Sequence, residues 1–563
     1  MSNKEFLLLP DNPGCYEELK DGNCYFVDKT EYLKTVFTSS TKVLLFTRPR
    51  RFGKTLLMTM FESFLKINSE KPFDTSLQLK YFQGSKILED KEFCSKFMGQ
   101  YPVISISLKN VDGVTFDIAY KNFAAEVSKL AENYRYLLSS TKLDKEDKDK
   151  LSKILKVEFL REFENSDYLT GSLSTIATAL YKEYGKYPVL LIDEYDVPLA
   201  NASFHDIQNT KLYGDDKEFK ADYHYKMVTL MKVFLGILKD QKTLTKVIIT
   251  GCLKVAKNSL FTGVNNLKVN TVLSENEDYT GIIGFTKEET YKFLKDYKMD
   301  NFAQKVKEHY DGYKFYDKEI FCPWDIVSFI SDYYKKNLKG NLKLNRLENY
   351  WEGTTSDKSL SGYIGYLTDN DNKKMQDLVD GKSISFILNE SMNYDCLSLH
   401  KSDDFWSLLL HTGYLTVDWE KTDEAELSKD SKTNKEIFAR IPNLEILECF
   451  EHNIKTRFSS EFVKLNLHNK LVDALSCGNQ KETYDIFFDM LQKYVSIRDT
   501  ATKAPLENYY HGFINGIFTC CENIISDYHS NYESGSGYPD ITFKAERNTK
   551  AVIIEIKATS NEE

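Results

Sequence analysis

The run Val43-Leu44-Leu45-Phe46-Thr47-Arg48-Pro49-Arg50-Arg51-Phe52-Gly53-Lys54-Thr55-Leu56-Leu57-Met58 passes from an unbroken apolar segment, through a basic loop closed by a glycine, into a second apolar segment. A short apolar run without alternation reads as a strand buried on both faces. Gly53 supplies the backbone freedom of a tight turn, and the residues from Lys54 to Phe61 read as the helix that follows. A strand, a loop and a helix in that order aim backbone N–H groups and a helix N-terminus at phosphate. Within that frame Arg48, Pro49, Arg50, Arg51, Phe52 and Gly53 form the cradle. Lys54 reaches the β- and γ-phosphates of ATP, and the Thr55 hydroxyl binds Mg²⁺. Arg48 stands where the motif has its leading glycine. Gly-Lys-Thr alone is a common tripeptide, so the assignment needs a second piece.

That piece is Val189-Leu190-Leu191-Ile192-Asp193-Glu194-Tyr195-Asp196, a buried strand that ends in acids. Here Asp193 holds the Mg²⁺ through water and Glu194 polarises the attacking water. The bland alternative, a strand that merely ends in acids, loses ground once Lys54 and Thr55 are paired with it. Pro102 to Leu108 and Lys246 to Thr250 are two further β-rich runs. All four are separated by stretches long enough for helical crossovers, which predicts an α/β fold, a parallel sheet with helices on both faces. The order suits the P-loop ATPase class in which a strand inserted beside the P-loop strand carries a polar sensor at its tip, and Thr250 is the sensor candidate. The charged segment Thr141 to Lys156 reads as a solvated helix.

The 563 residues are 42% hydrophobic and 28% charged, globular values at a length that favours two to four domains. Val43 to Phe46 and Val189 to Ile192 fall far short of the roughly 18 apolar residues of a membrane helix. The first 14 residues lack a basic start and a long apolar stretch, so the expected location is the cytoplasm. Ten cysteines without a C-x-x-C pair argue against a zinc ribbon, a redox dithiol or a disulfide framework. A net charge of −10 means that a nucleic-acid partner has to be met by a local basic patch. Only ten of the 74 basic residues are arginine, and three of these are Arg48, Arg50 and Arg51. Forked guanidinium groups bind phosphate in a bidentate way that lysine cannot copy, so this cluster reads as a phosphate clamp in cis. It implies no ring assembly, and a homo-oligomer stays open.

From Phe285 to Trp351 the pattern turns helical and aromatic. Tyr414 to Trp419 and Ile437 to Ile441 flank the polar stretch Glu420 to Glu436, the pattern of a hairpin with an exposed loop. Near the end, Tyr538 to Lys544 and Ala551 to Ala558 are β-rich and joined by a polar turn. On a strand Glu555 and Lys557 share a face while Ile554 and Ile556 take the other. Asp540 and Glu555 on adjacent strands can hold one or two Mg²⁺ or Mn²⁺ ions. Lys557 can orient or deprotonate water beside a phosphodiester. Taken as a bare pattern, Glu-x-Lys on a solvent-facing strand is common.

Phe26-Val27-Asp28-Lys29-Thr30, Arg48 to Thr55, Leu191 to Asp196, Thr250-Gly251, Phe261 to Leu267, Gly284-Phe285-Thr286, Tyr310 to Phe315 and Pro323-Trp324 together resemble the predicted AAA-ATPase-like family over the first 350 residues. Within the Phe261 to Leu267 segment, Asn265 and Asn266 read equally as turn residues and as contacts. The family's own pattern has Arg48 at the leading position. The resemblance implies ATP binding and a mechanical or switching role. Glu507 to Phe513, Pro539-Asp540 and Glu555 to Lys557 resemble the PD-(D/E)xK nuclease superfamily domain that commonly follows this ATPase. That likeness implies a helix at Glu507 with its carboxylate as an extra metal ligand, and leaves His511 to packing or capping. The chain stops six residues after Lys557, where such cores continue with a helix and a strand, so the nuclease-like domain is expected to be truncated.

The expected domains are 1–284, the ATPase; 285–440, a mostly helical connecting region or lid; and 441–563, the nuclease-like α/β domain. The leading functional expectation is an ATPase coupled to a Mg²⁺-dependent nuclease acting on DNA rather than RNA. A nucleotide-controlled switch with a vestigial nuclease domain and an RNA-directed effector nuclease are the alternatives.

Overall fold

The computed structural model describes residues 8–9, 14–213, 222–240, 242–254, 260–264, 266–316, 318–339, 347–351, 369–389, 401–422, 435–450, 467–494, 514, 518, 521, 524–530, 539–545 and 550–557. They divide into two compact units, Met1–Glu448 and Cys449–Glu563.

The first unit is built on a five-stranded sheet of β1 (Val43–Thr47), β2 (Val103–Ser107), β3 (Val189–Asp193), β4 (Lys246–Gly251) and β5 (Leu267–Asn270). Their order is β2-β3-β4-β1-β5 and every pairing is parallel. β1, β3 and β4 are buried at every residue, as expected of strands covered on both faces. β4 lies between β1 and β3, with Val43 beside Val247 and Ile192 beside Ile249. This brings the tips of the P-loop strand, the acidic strand and the sensor strand side by side. The helix Lys54–Leu65 leaves β1 and buries Leu57, Met58, Met60, Phe61 and Phe64. The charged segment forms the helix Lys145–Ile154, opened by a capping box between Asp144 and Asp147 and buried only at Leu151 and Ile154.

Beyond the sheet, β6 (Phe285–Thr286), β7 (Tyr313–Phe315) and β8 (Lys318–Phe321) form a small antiparallel sheet in the order β6-β8-β7. The helices Lys287–Asp296, Ala303–Tyr310 and Pro323–Leu338 pack with it around Phe293, Leu294, Tyr310, Phe329 and Ile330. Thr286 and Glu289 close a capping box on the first helix, and Pro323 opens the third. The expected hairpin forms between β10 (Thr416–Val417) and β11 (Lys435–Arg440), with Thr416 opposite Arg440. β9 (Ile384–Leu388) joins it as a third strand. The middle region therefore carries two small sheets between its helices.

The second unit holds the helices Leu467–Cys477 and Gln480–Tyr494 and an antiparallel sheet of β12 (Ile525–Ser530), β13 (Ile541–Ala545) and β14 (Lys550–Ile554), in that order. Leu471, Val472, Phe518, Ile541, Phe543 and Val552 form its core. Among the described residues no helix is long and apolar enough to cross a membrane.

Candidate active site

The loop after β1 obtains its shape from two left-handed residues, Arg51 at φ 66° and Gly53 at φ 91°. A Cβ built on Gly53 would meet nothing within 4 Å, so the space over the loop is open. Lys54 opens its helix and is buried, and its Nζ donates to the loop's own carbonyls, Pro49 at 2.8 Å and Arg48 at 3.1 Å. An ammonium drawn back onto loop carbonyls sits where an arriving phosphate can replace them as its partner. The Thr55 hydroxyl donates to Asp193 Oδ2 at 2.6 Å. The Thr250 hydroxyl donates to Asp193 Oδ1, which also accepts the N–H of Glu194. Two hydroxyls, one from the start of the helix and one from the end of β4, thus converge on the carboxylate at the end of β3.

Glu194 occupies a left-handed conformation at φ 53°, uncommon for a residue with a side chain. Burial pushes its carboxyl above the ordinary range and the neighbouring Asp193 acts in the same direction, while Lys54 opposes them. Such a shift suits a group that has to accept a proton. Asp196 is buried, its Oδ2 accepting the N–H groups of Cys252 at 3.0 Å and Leu253 at 2.9 Å. Burial raises its pKa as well.

The donor chemistry fits a hydrated Mg²⁺. This ion takes hard oxygen ligands, keeps several waters and is commonly held by one or two protein groups together with nucleotide phosphates. The Thr55 hydroxyl and Asp193 carboxylate are hard oxygen groups 2.6 Å apart, and the space beside Gly53 is open at the start of the helix, as a phosphate cradle requires.

The three arginines of the loop have different surroundings. Arg48 is 2% exposed, and its guanidinium donates to the carbonyls of Thr47 at 2.9 Å, Asn270 at 3.0 Å and Tyr279 at 3.4 Å, 5.2 Å from the Phe315 ring centre. Burial lowers its pKa to about 10, which leaves it charged at neutral pH. Arg51 donates to the Tyr350 carbonyl and lies 4.9 Å from the Trp324 ring. In both, backbone carbonyls and an aromatic ring pin the guanidinium to neighbouring segments. Arg50 differs, since its charge is felt by Cys252, whose Sγ lies 3.6 Å from Lys54 Nζ.

Those pins belong to a wider grip on the loop. Cys322 donates to the Arg51 carbonyl and Gly284 N–H donates to the Phe52 carbonyl. The Phe52 ring meets Tyr313 and Phe315, and Pro49 lies under Gly413 closely enough that a Cβ there would come within 2.8 Å. Other segments singled out in the sequence also act structurally. Asp28 Oδ1 accepts the N–H and hydroxyl of Thr30 while Oδ2 accepts Lys86 N–H, and buried Lys29 bridges Glu289 at 2.6 Å and the Gly281 carbonyl at 2.7 Å. Asn266 accepts Val43 N–H through its carbonyl at the edge of the sheet, and Asn265 lies outside the described residues.

In the second unit β14 ends at Ile554, shorter than the β-rich run in the sequence, but the alternation continues. Ile554 and Ile556 pack against the core while Glu555 and Lys557 are exposed. Ile541 pairs with Ile554, so extending the register by one residue sets Asp540 opposite Glu555. Asp540 Oδ2 accepts the N–H of Ile556 at 2.6 Å, and Lys557 Nζ lies 3.7 Å from Glu555 Oε2. Asp540, Glu555 and Lys557 are therefore neighbours. Glu507 and His511 lie outside the described residues, and among the described residues no group of three or more His, Cys, Asp or Glu side chains is arranged to hold a metal.

Sequence reasoning missed the grip on the loop and the contacts of Asp196. The Asp193-Glu194-Tyr195-Asp196 run displayed the latter residue, but its partners lie more than fifty residues further on.

Residues 14–261 match the model of the predicted AAA-ATPase family, a span that includes β1 to β4 and all the converging groups of the first unit. No curated protein and no solved structure matches the chain. The match is to a predicted AAA-ATPase and the five-stranded parallel sheet fits a P-loop ATPase-like N-terminal region, which suggests ATP binding and hydrolysis with Mg²⁺.

Proposed function

We propose that the first unit hydrolyses Mg²⁺-bound ATP at the tips of β1, β3 and β4, and that the second unit is a metal-dependent nuclease-like module acting on DNA. The convergence of Thr55 and Thr250 on Asp193 carries the ATPase reading. Lys54 exchanges its loop carbonyls for β- and γ-phosphate oxygens, and the N–H groups of residues 50 to 55 orient the phosphates. Thr55 and Asp193 hold the Mg²⁺, which neutralises charge on the transferred phosphoryl group when bound. Glu194 orients the attacking water and accepts its proton, and the Thr250 hydroxyl senses the γ-phosphate side of the site. Arg50, in the loop between Pro49 and Arg51, is the arginine assigned to clamp phosphate.

The nuclease reading draws its support from the facing carboxylates. Like charges directly opposite on adjacent strands are destabilising unless a cation relieves them. Asp540 and Glu555 fit one or two divalent cations, and Lys557 fits the water that attacks a phosphodiester. One experiment examines both halves: cleavage of plasmid, single-stranded DNA and RNA with Mg²⁺ or Mn²⁺, with and without ATP, with ATP hydrolysis followed in parallel. Loss of hydrolysis in Lys54→Ala and loss of cleavage in Asp540→Ala are the expected results. Cleavage of RNA alone would redirect the second module to RNA.

Hydrolysis without cleavage of any polymer would favour a nucleotide-controlled switch. The grip on Pro49, Arg51 and Phe52 by Gly413, Tyr350, Cys322 and Gly284 favours that second reading, because a loop so held cannot move alone.

A further inference from the structure

Asp196 has no part in the scheme above, yet it is a buried acid tied to the segment that carries Thr250. It is 2% exposed. Its Oδ2 accepts two N–H groups from the turn that follows β4, Cys252 and Leu253, while Oδ1 has no hydrogen-bond partner. The adjacent Tyr195 fastens the same turn twice, its N–H donating to the Thr250 carbonyl at 3.1 Å and its hydroxyl to the Leu253 carbonyl at 2.7 Å. Both side chains are pressed so closely on the Gly251 backbone that a Cβ there would fall 2.5 Å from Asp196 Oδ1 and 2.7 Å from the Tyr195 ring. The fastened segment carries Thr250, whose hydroxyl rests on Asp193, and Cys252, whose Sγ lies beside Lys54. On the other side the stitch begins two residues after Glu194, which is held in its left-handed conformation.

We infer that Asp196 is a positioning residue for the hydrolytic step: its paired hydrogen bonds to Cys252 and Leu253 hold the end of β4 so that Thr250 stays on Asp193 and Glu194 keeps its aim. This rests on the ATPase reading and adds a residue that never touches the nucleotide. Misplacement of catalytic groups by even an ångström reduces turnover far more than binding. Both N–H groups share a single oxygen, so an amide oxygen can accept them equally well. Asp196→Asn therefore preserves the stitch, whereas Asp196→Ala removes it and exposes two buried N–H groups to the penalty of having no acceptor.

The test is steady-state ATP hydrolysis by the full chain, together with binding of a fluorescent non-hydrolysable ATP analogue in Mg²⁺. The variants are Asp196→Ala, Asp196→Asn, Thr250→Ala and the Asp196→Ala/Thr250→Ala double variant. In Asp196→Ala kcat should fall about 30-fold while KM and analogue affinity stay within about threefold, the split expected of an interaction felt only in the transition state. Asp196→Asn should recover kcat to within about fivefold of wild type, and the double variant should be no slower than the worse single variant by more than about threefold. Unchanged kcat in Asp196→Ala, an Asn variant as slow as the Ala variant, or fully multiplicative losses would each overturn the inference. If Asp196→Ala does not fold, Asp196→Asn decides alone, with a loss of more than about tenfold overturning it. Wild-type protein without Lys54-dependent turnover would overturn the ATPase reading and this inference with it, an outcome distinct from turnover indifferent to Asp196.

Discussion

Arg48 carries a positive charge into the interior without an acidic hydrogen-bond partner. Three backbone carbonyls and the face of Phe315 stabilise it, and its Nε has no partner. Carbonyl dipoles arranged around a guanidinium offset much of its desolvation, and a planar fork is needed to reach carbonyls from Thr47, Asn270 and Tyr279 together. The side chain thereby pins β1 to β5 and to the segment at Tyr279. Arg48→Gly, which places a glycine at the loop's first position, should destabilise the chain by about 2–4 kcal/mol, since it empties a buried site and takes the guanidinium from three carbonyls, of which that of Tyr279 keeps the Ile282 N–H. Affinity for the ATP analogue under conditions where the variant is folded should stay within about threefold of wild type, because the lost contacts are not to phosphate. Urea unfolding and analogue binding read the two quantities separately. A large loss of affinity with stability intact would return Arg48 to the phosphate clamp.

At the scale of elements, the phosphate loop is a shared part. Arg51 adopts a conformation disfavoured by about 1 kcal/mol for a residue with a side chain, and it is held there by Tyr350, Trp324 and Cys322. Glycine takes that conformation freely. Arg51→Gly should therefore keep the loop's shape and its nucleotide affinity while removing the side-chain contact to Trp324 in the helix Pro323–Leu338, the Cys322 bond to the carbonyl remaining. Hydrogen exchange would show it: ATP analogue should slow exchange in that helix in wild type and lose most of that effect in Arg51→Gly. Equal protection in both proteins would mean that the loop and the helix are not coupled through Arg51. This coupling was hidden in the sequence, for a physical reason. β1, β3 and β4 could be read because strands covered on both faces leave apolar runs, and β2 because its β-branched residues alternate with serines. β5 could not, since Leu267–Asn270 is short and only Asn270 is fully buried. β9 joins β11 across some fifty intervening residues, and no local pattern announces such a pairing. The arginines were legible as a cluster but not in their directions, because side-chain aim depends on carbonyls that arrive from Asn270, Tyr279 and Tyr350. Asp193, Lys54 and Thr55 could be read as a set because chemistry prescribes their spacing from strand ends.

At the scale of the whole molecule, charge and burial act together on stability. The chain carries −10 at neutral pH, so its self-repulsion grows as pH rises above the isoelectric point of about 5.6. Within the first unit, Asp325 and Glu445 are buried side by side, with Glu445 accepting the N–H groups of Tyr350 and Trp351 through one oxygen. Burial is the largest cause raising both carboxyls above the ordinary range, and for Glu445 the neighbouring Asp325 adds to the rise. Cys322, Glu445 and Arg51 oppose the shift at Asp325, in that order, and the two backbone N–H groups oppose it at Glu445. Asp311, also buried, is raised to about 6. A carboxyl with a raised pKa binds protons in the folded state that the unfolded chain has already released. Its stabilisation is complete below the unfolded value near pH 4 and is lost as pH climbs through the folded value. Stability should therefore fall from about pH 5 to pH 8, with a slope of about 1.4 kcal/mol per pH unit for each extra proton held. Urea midpoints across that range give the slope. Asp325→Asn separates the pair from the overall field, because it changes net charge by a single unit yet removes one of the two carboxyls. A markedly flatter profile in the variant assigns the pH dependence to the buried pair, and an unchanged slope assigns it to the distributed surface charge.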